Sequence, residues 1–263
     1  MNFDLHLTNK VMATTSEIVD GQVIDQIRRQ NALPYELPSL QEILKNIGPL
    51  PDEALFLGLA DDGFPVLLNL WDPTPGPLLV AGDSESGKTD FLKTLTSYVV
   101  STHQPNEIQY GVITNRLYEW KSYVDYSHCI GIFSTAEKDA TNFIQALVAW
   151  TETNRNSRQS VLLLIDELVD FIFWRSELGR ELRQLLLYGP KKKIWPIATI
   201  SLENSQAVAP WLEYFHTQIF GHTNHFIHGD SQGVDFDTLY TGVEFTLKEG
   251  SQWIRFRIPR ITF

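Results

Sequence analysis

From residue 78 onward, short apolar runs alternate with longer amphipathic stretches. The runs fall at 78–81, 108–113, 129–133, 161–165, 194–199 and 217–221. Mostly unbroken apolar runs of this length suit strands covered on both faces, as in a parallel sheet. The stretches 87–101, 136–154, 175–188 and 203–214 have the length and spacing of helices. Strand and helix in turn predict an α/β fold with a doubly wound, mostly parallel sheet. Such sheets bind ligands outside the carboxyl ends of their strands.

Upstream the pattern changes. Ala54 to Leu70 reads as two strands joined at Asp61-Asp62-Gly63, a hairpin signal. Pro73, Pro75 and Pro77 form a stiff link into the run at 78. Residues 1–50 read as a small N-terminal helical appendage, leaving 51–263 as the main domain. In the appendage a helical pattern runs from Ser16 to Gln30 and is ended by Pro34. Ser39-Leu40-Gln41-Glu42 is a capping box opening a short helix that Gly48 can close. The chain carries no internal repeat and no low-complexity tract.

Candidate chemistry begins directly behind Leu78-Leu79-Val80-Ala81. Gly82-Asp83-Ser84-Glu85-Ser86-Gly87-Lys88-Thr89 is the G-x-x-x-x-G-K-[ST] pattern of a P-loop, with Asp90 following. A strand delivers the chain to a turn whose amides face phosphate oxygens, and the next helix aims its positive end at the same anion. Gly82 and Gly87 are expected to take backbone angles that a Cβ forbids. Lys88 supplies a point charge for the β- and γ-phosphates, and Thr89 a hydroxyl for Mg²⁺. The pattern therefore predicts binding of ATP with Mg²⁺.

Val161-Leu162-Leu163-Leu164-Ile165-Asp166-Glu167 gives a second candidate element. A buried strand here places Asp166 at its carboxyl end, where a carboxylate holds Mg²⁺ through its water shell. Glu167 is then placed to polarise an attacking water as a general base. Taken alone, the segment is equally a strand ending in a solvated acidic turn; the upstream P-loop favours the catalytic reading. An Asp-Glu pair points to a hydrolase that orients water. Ile197-Ala198-Thr199 is an apolar strand ending in a hydroxyl, which packing preferences alone also explain.

Together these segments resemble the FtsK/SpoIIIE/HerA family of ring-forming ATPase motors, over roughly residues 54–263. Pro77 to Gly82, running into Gly87-Lys88-Thr89, is similar to the family's "HLLVAG…GSGK" segment, and Val161 to Val169 to its "vvIDELad" segment. Ile194 to Thr199 resembles the "GIHLILAT" sensor strand, and Phe215 to Phe220 the strand that follows it. Phe56 to Ala60 and Pro65 to Leu70 resemble the family's leading hairpin. The resemblance implies a P-loop NTPase fold of RecA/FtsK type and a sensor role for Thr199, contacting γ-phosphate or attacking water. It also implies a homo-oligomeric ring, often a hexamer, moving DNA or a secreted protein.

The chain also departs from the family. Ile200 and Ser201 stand where Gln and Arg are usual, and Gly189-Pro190 followed by Lys191 to Lys193 stands where Gly-Arg is usual. Thr114-Asn115-Arg116 replaces Asp-Pro-Lys at the end of the second strand. Asp83, Glu85 and Asp90 add carboxylates beside a polyanion site, which weakens binding by like-charge repulsion. These departures leave open an alternative, a degenerate nucleotide-dependent scaffold or switch with little turnover.

Composition narrows the class further. Hydrophobic residues make up 43% and charged residues 20%, ordinary for a globular domain. No apolar run approaches the roughly 20 residues that span a bilayer, and no signal-peptide pattern opens the chain. One cysteine, Cys129, fits a reducing cytoplasm. A formal charge of −11 weighs against sequence-independent DNA binding by the outer surface. His222, His225 and His228 recur every third residue, a spacing that scatters them over both faces of a strand. Lys191 to Lys193 read as a solvated turn or a phosphate contact. Arg255 and Arg257 share a strand face that is plain solvent or a nucleotide or subunit contact. Tyr118, Trp120, Tyr123 and Tyr126 read as packing.

Overall fold

Leu78 and Val80 pack into one hydrophobic core, and Leu79 and Ala81 into another. The same split separates Leu162 and Leu164 from Val161, Leu163 and Ile165. An unbroken apolar run is thus a strand whose two faces are both covered. The structure is a computed structural model describing residues 37–153, 158–224, 235–249 and 252–261. The helix expected over 16–30, His225 and His228 lie outside the described residues.

In chain order the elements are α1 (Leu40–Ile47), β1 (Ala54–Ala60), β2 (Pro65–Asn69), β3 (Leu78–Gly82), α2 (Lys88–Thr102), β4 (Ile108–Thr114), β5 (Cys129–Ser134), α3 (Lys138–Thr153), β6 (Ser160–Asp166), α4 (Leu168–Trp174), α5 (Gly179–Tyr188), β7 (Ile194–Ser201), α6 (Ser205–Leu212), β8 (Thr217–Gly221), β9 (Glu244–Glu249) and β10 (Gln252–Arg257). The strands form one ten-stranded sheet in the order β2-β1-β10-β9-β8-β3-β7-β6-β4-β5. From β8 to β5 every pairing is parallel. From β8 outward through β9, β10, β1 and β2 every pairing is antiparallel. Helix α2 covers one face, while α3, α4, α5 and α6 contribute to the core on the other. The expected doubly wound α/β architecture is present.

Several segments differ in detail from the sequence reading, β9 among them, which no apolar run marked. The helix expected over 175–188 begins at Gly179, after a 3-10 turn at Ser176–Leu178, and a separate α4 precedes it. Leu168-Val-Asp-Phe-Ile-Phe-Trp174 is rich in β-branched and aromatic residues of modest helix propensity, which hid α4. Burial of Leu168 and Phe171 on one face outweighs that propensity. The hairpin β1–β2 is joined to the main sheet through pairing of β1 with β10. Helix α1 has the capping box expected of it, with the Ser39 hydroxyl accepting from the Glu42 amide at 3.3 Å and Gly48 closing it. Its Leu40 and Ile43 sit in the same core as Phe56 and Tyr98.

Leu164 is fully buried in the middle of β6. Leu164→Ala should lower unfolding free energy by about 2–5 kcal/mol. In a urea titration the midpoint should fall with the slope unchanged.

Candidate functional site

The chain leaves β3 at Gly82 and turns tightly. The Asp83 amide donates to the His222 carbonyl at 3.0 Å and the Ser86 amide to the Asp83 carbonyl at 3.2 Å. Gly87, at φ +91, lies in the left-handed region expected of it, and a Cβ there would meet the Gly242 backbone at 2.6 Å. Gly82 needs no side chain for a different reason from the one expected. Its φ is not left-handed; a Cβ would instead stand 2.4 Å from the Ser86 hydroxyl. Glu85 takes φ +63 without being glycine.

This turn is rich in donors. The first amides of α2 lie beyond the reach of intrahelical acceptors, and the helix dipole adds positive potential there. Ser86 Oγ is fully buried with no hydrogen-bond partner among the described residues. Lys88 Nζ donates to the carbonyls of Gly82 at 3.2 Å and Asp83 at 2.6 Å. Burial pushes the Lys88 pKa down, opposed chiefly by the Glu167 carboxylate. Asp83 turns its carboxylate to Thr223 Oγ1 at 2.6 Å and the Asn224 amide at 2.8 Å, so hydrogen bonds temper the repulsion expected from it.

Strand β6 carries Asp166 to the same edge of the sheet, where it is completely buried. A buried carboxylate must be satisfied by donors. Its Oδ1 accepts from Thr89 Oγ1 at 2.9 Å, Arg116 Nη2 at 3.1 Å and, more distantly, Thr199 Oγ1 at 3.5 Å. Its Oδ2 accepts from Thr114 Oγ1 and Trp120 Nε1, each at 3.2 Å. Arg116 Nη2 also donates to Thr89 Oγ1 at 2.8 Å.

Glu167 follows with φ 78 and ψ 90, a conformation that a non-glycine residue holds at a cost of about 1–3 kcal/mol. Thr199 and Ser201 offset that cost. The Glu167 amide donates to Thr199 Oγ1 at 2.8 Å. The Glu167 carboxylate accepts from the Ser201 amide at 3.1 Å and from Ser201 Oγ at 2.8 Å. Burial raises the Glu167 pKa above the ordinary carboxylate value, with the Ser201 donors and the Lys88 charge working the other way. Thr199 is itself buried, in the strand between β3 and β6, and joins the two acidic residues through one hydroxyl.

The structure thus brings together Gly82 to Thr89, Asp166, Glu167 and Thr199. Asp90 is the third residue of α2, with its carboxylate 3.6 Å from Lys93. Sequence reasoning missed three contributors. Trp120 reads as packing, yet its indole N–H holds Asp166. Arg116 and Ser201 register only as departures from a motif, although both lie on the carboxyl-end side of their strands. Other expectations fall away from the site. Arg255 and Arg257 do not face plain solvent, since both donate to the buried Glu244. Lys193 donates to the Leu70 carbonyl at 3.3 Å and lies over the Trp71 ring. It stands at the amino end of β7, opposite the P-loop edge, so it is no phosphate contact here, while Lys191 is exposed as a solvated turn requires. His222 Nδ1 lies 3.0 Å from the Leu239 carbonyl, and no His/Cys/Asp/Glu group among the described residues forms a metal cluster.

Comparison with known proteins agrees with this fold. Residues 62–164, less than half the chain, match the FtsK/SpoIIIE family. EccC of Thermomonospora curvata (ATPases 2 and 3, with a signal sequence peptide) superposes with a TM-score of 0.64 at 17% identity, covering 88% of this chain and 44% of that one. EssC from Geobacillus thermodenitrificans (ATPases 2 and 3) gives 0.65 at 14%, covering 87% and 47%. The pCW3 conjugation coupling protein TcpA, a monomer form with ATPγS, gives 0.63 at 12%, covering 86% and 70%. The chain therefore spans less than half the length of the EccC and EssC structures. No significant match occurs among curated protein sequences. The resemblance read from the motifs holds, and the fold is that of the P-loop ATPases. Among the described residues no helix is long and apolar enough to cross a membrane.

Trp120→Phe keeps the buried ring but leaves Asp166 one donor short. It should lower stability by about 1–3 kcal/mol, measured as a reduced denaturant midpoint against a Trp195→Phe control, where the buried indole N–H has no partner among the described residues.

Proposed function

We propose that this chain is a Mg²⁺-dependent ATPase domain of the FtsK/HerA type. The observation that carries the reading is the contact between the P-loop Thr89 hydroxyl and the buried Asp166 carboxylate, 2.9 Å apart at the carboxyl edge of the sheet. A hydroxyl and a carboxylate side by side are oxygen donors that fit a hard divalent cation. Thr89 and Asp166 would hold Mg²⁺, and Mg²⁺ when bound neutralises phosphate charge. The amides of Ser84, Glu85 and Gly87 to Asp90 and the Ser86 hydroxyl receive phosphate oxygens, and Lys88 exchanges its two carbonyl partners for them.

Glu167 is the general base. It sits next to Asp166, and its raised pKa brings it closer to the proton affinity that water activation requires. Thr199 acts as sensor by linking the Asp166 and Glu167 positions. The domain works in the cytoplasm within a homo-oligomeric ring, often six-membered in such motors, that translocates DNA or a secreted protein. The signal peptide bound to EccC and the conjugative role in TcpA's description support these two substrate classes.

Purified protein should release phosphate from ATP in the presence of Mg²⁺. Glu167→Gln should retain ATP binding and lose roughly 10²–10⁴-fold in turnover, and unchanged turnover removes its role. Lys88→Ala should abolish binding in calorimetry. Because the base acts when ionised, and burial raises its pKa, the rate should fall on acidification at a higher pH than for an exposed carboxylate. Ser201→Ala removes a donor that stabilises the ionised form, so the acid limb of the pH–rate profile should move to higher pH. An unmoved limb would show that the limb belongs to another group.

A further inference from the structure

We infer that Arg116 is a resident cation at the metal position of this site, which an arriving Mg²⁺ must displace. The inference rests on the nucleotide-binding reading above and adds a regulatory residue to it. Strand β4 ends at Thr114, in register with Asp166, so the chain turns directly over the buried carboxylate. The Arg116 amide donates to Thr114 Oγ1 at 3.0 Å, which fixes that turn. From it the guanidinium reaches both oxygens assigned to the metal, Thr89 Oγ1 at 2.8 Å and Asp166 Oδ1 at 3.1 Å.

The placement follows from charge. Asp166 is completely buried, and a buried anion left without a cation is strongly unfavourable. Arg116 supplies the neutralising charge through a single guanidinium nitrogen, Nη2, whose two N–H groups reach both oxygens. Mg²⁺ would seek the same pair of oxygens, and two cations cannot share them without strong repulsion.

Arg116 also has somewhere else to go. Its side chain is 41% exposed, and its Nη1 already lies 3.5 Å from Glu119 Oε1. Glu119 in turn is held by Lys93 at 3.3 Å. A rotation of the guanidinium toward Glu119 and solvent opens the pair of oxygens without moving the backbone. The site therefore exchanges one cation for another. Two consequences follow: Arg116 supports nucleotide binding when metal is scarce, and it raises the Mg²⁺ concentration needed to load the site.

The test is a titration of a fluorescent ATP analogue against the wild type, Arg116→Ala and Arg116→Gln, in EDTA and across Mg²⁺ concentrations. The wild type should bind the analogue in EDTA, and both variants should bind it about tenfold more weakly there. Mg²⁺ should restore their binding at a lower half-saturating concentration than in the wild type. Electron paramagnetic resonance with Mn²⁺ and no nucleotide gives a second readout, with tighter Mn²⁺ binding by both variants. Metal dependence that superimposes on wild type in both measurements overturns the inference while leaving nucleotide binding intact. Absence of analogue binding by the wild type under every condition overturns the nucleotide-binding reading, and the inference falls with it.

Discussion

The buried carboxylate of Asp166 ties together the elements on which the site depends. Asp166 has no exposed surface, and an ionised group in that position must draw its hydrogen bonds from the protein. Five side chains reach it: Thr89 from the first turn of α2, Thr114 from the end of β4, Arg116 and Trp120 from the segment after β4, and Thr199 from β7. Each donor is useful only if its element ends at the right height. The order β3-β7-β6-β4 and the parallel registers among these strands supply that alignment. Displacing any of the four strands by one residue would turn the donor away from the carboxylate.

The neighbouring residue shows the opposite strategy. Glu167 is held in a backbone conformation that its own side chain disfavours, and it remains there because Thr199 and Ser201 bind its amide and carboxylate. The strained residue also starts α4, so the acidic group is fixed between a sheet edge and a helix. A strained, half-buried acid with two dedicated donors is costly to maintain for packing alone, and its position beside a donor-rich loop gives the cost a purpose.

The antiparallel half of the sheet is tied to the same place. Gly242 lies against Gly87 so closely that a side chain on Gly87 is not tolerated. Its amide donates to the Ser86 carbonyl at 3.2 Å. Two residues later the buried Glu244 binds Arg255 and Arg257 of β10. Burial alone would raise the Glu244 pKa, yet the Tyr240 amide and the two guanidinium groups hold it below the ordinary value. The ion pair cluster thus locks β9 to β10 and, through residues 240–242, supports the P-loop from behind.

Much of this was legible in the chain itself. Apolar runs marked the six parallel strands, most clearly β3, β6 and β7, where burial on both faces admits no polar alternation. The P-loop was legible because its chemistry demands specific residue types at fixed spacing. The Asp166-Glu167 pair was recognisable once that loop stood upstream. Contributors defined by proximity rather than by spacing stayed hidden. Trp120 looks like any core aromatic until β4 and β6 are brought into register, and α4 was masked by residues that favour strands locally. Arg116 and Ser201 stand where the family pattern breaks, and nothing in a linear chain says that a break lies 3 Å from a buried charge. Sequence alone determined the parallel strands and where phosphate chemistry belongs, since periodicity and local spacing encode both. Only the tertiary structure decided which side chains hold Asp166 and Glu167, because those donors come from segments far apart in the chain that meet at one sheet edge.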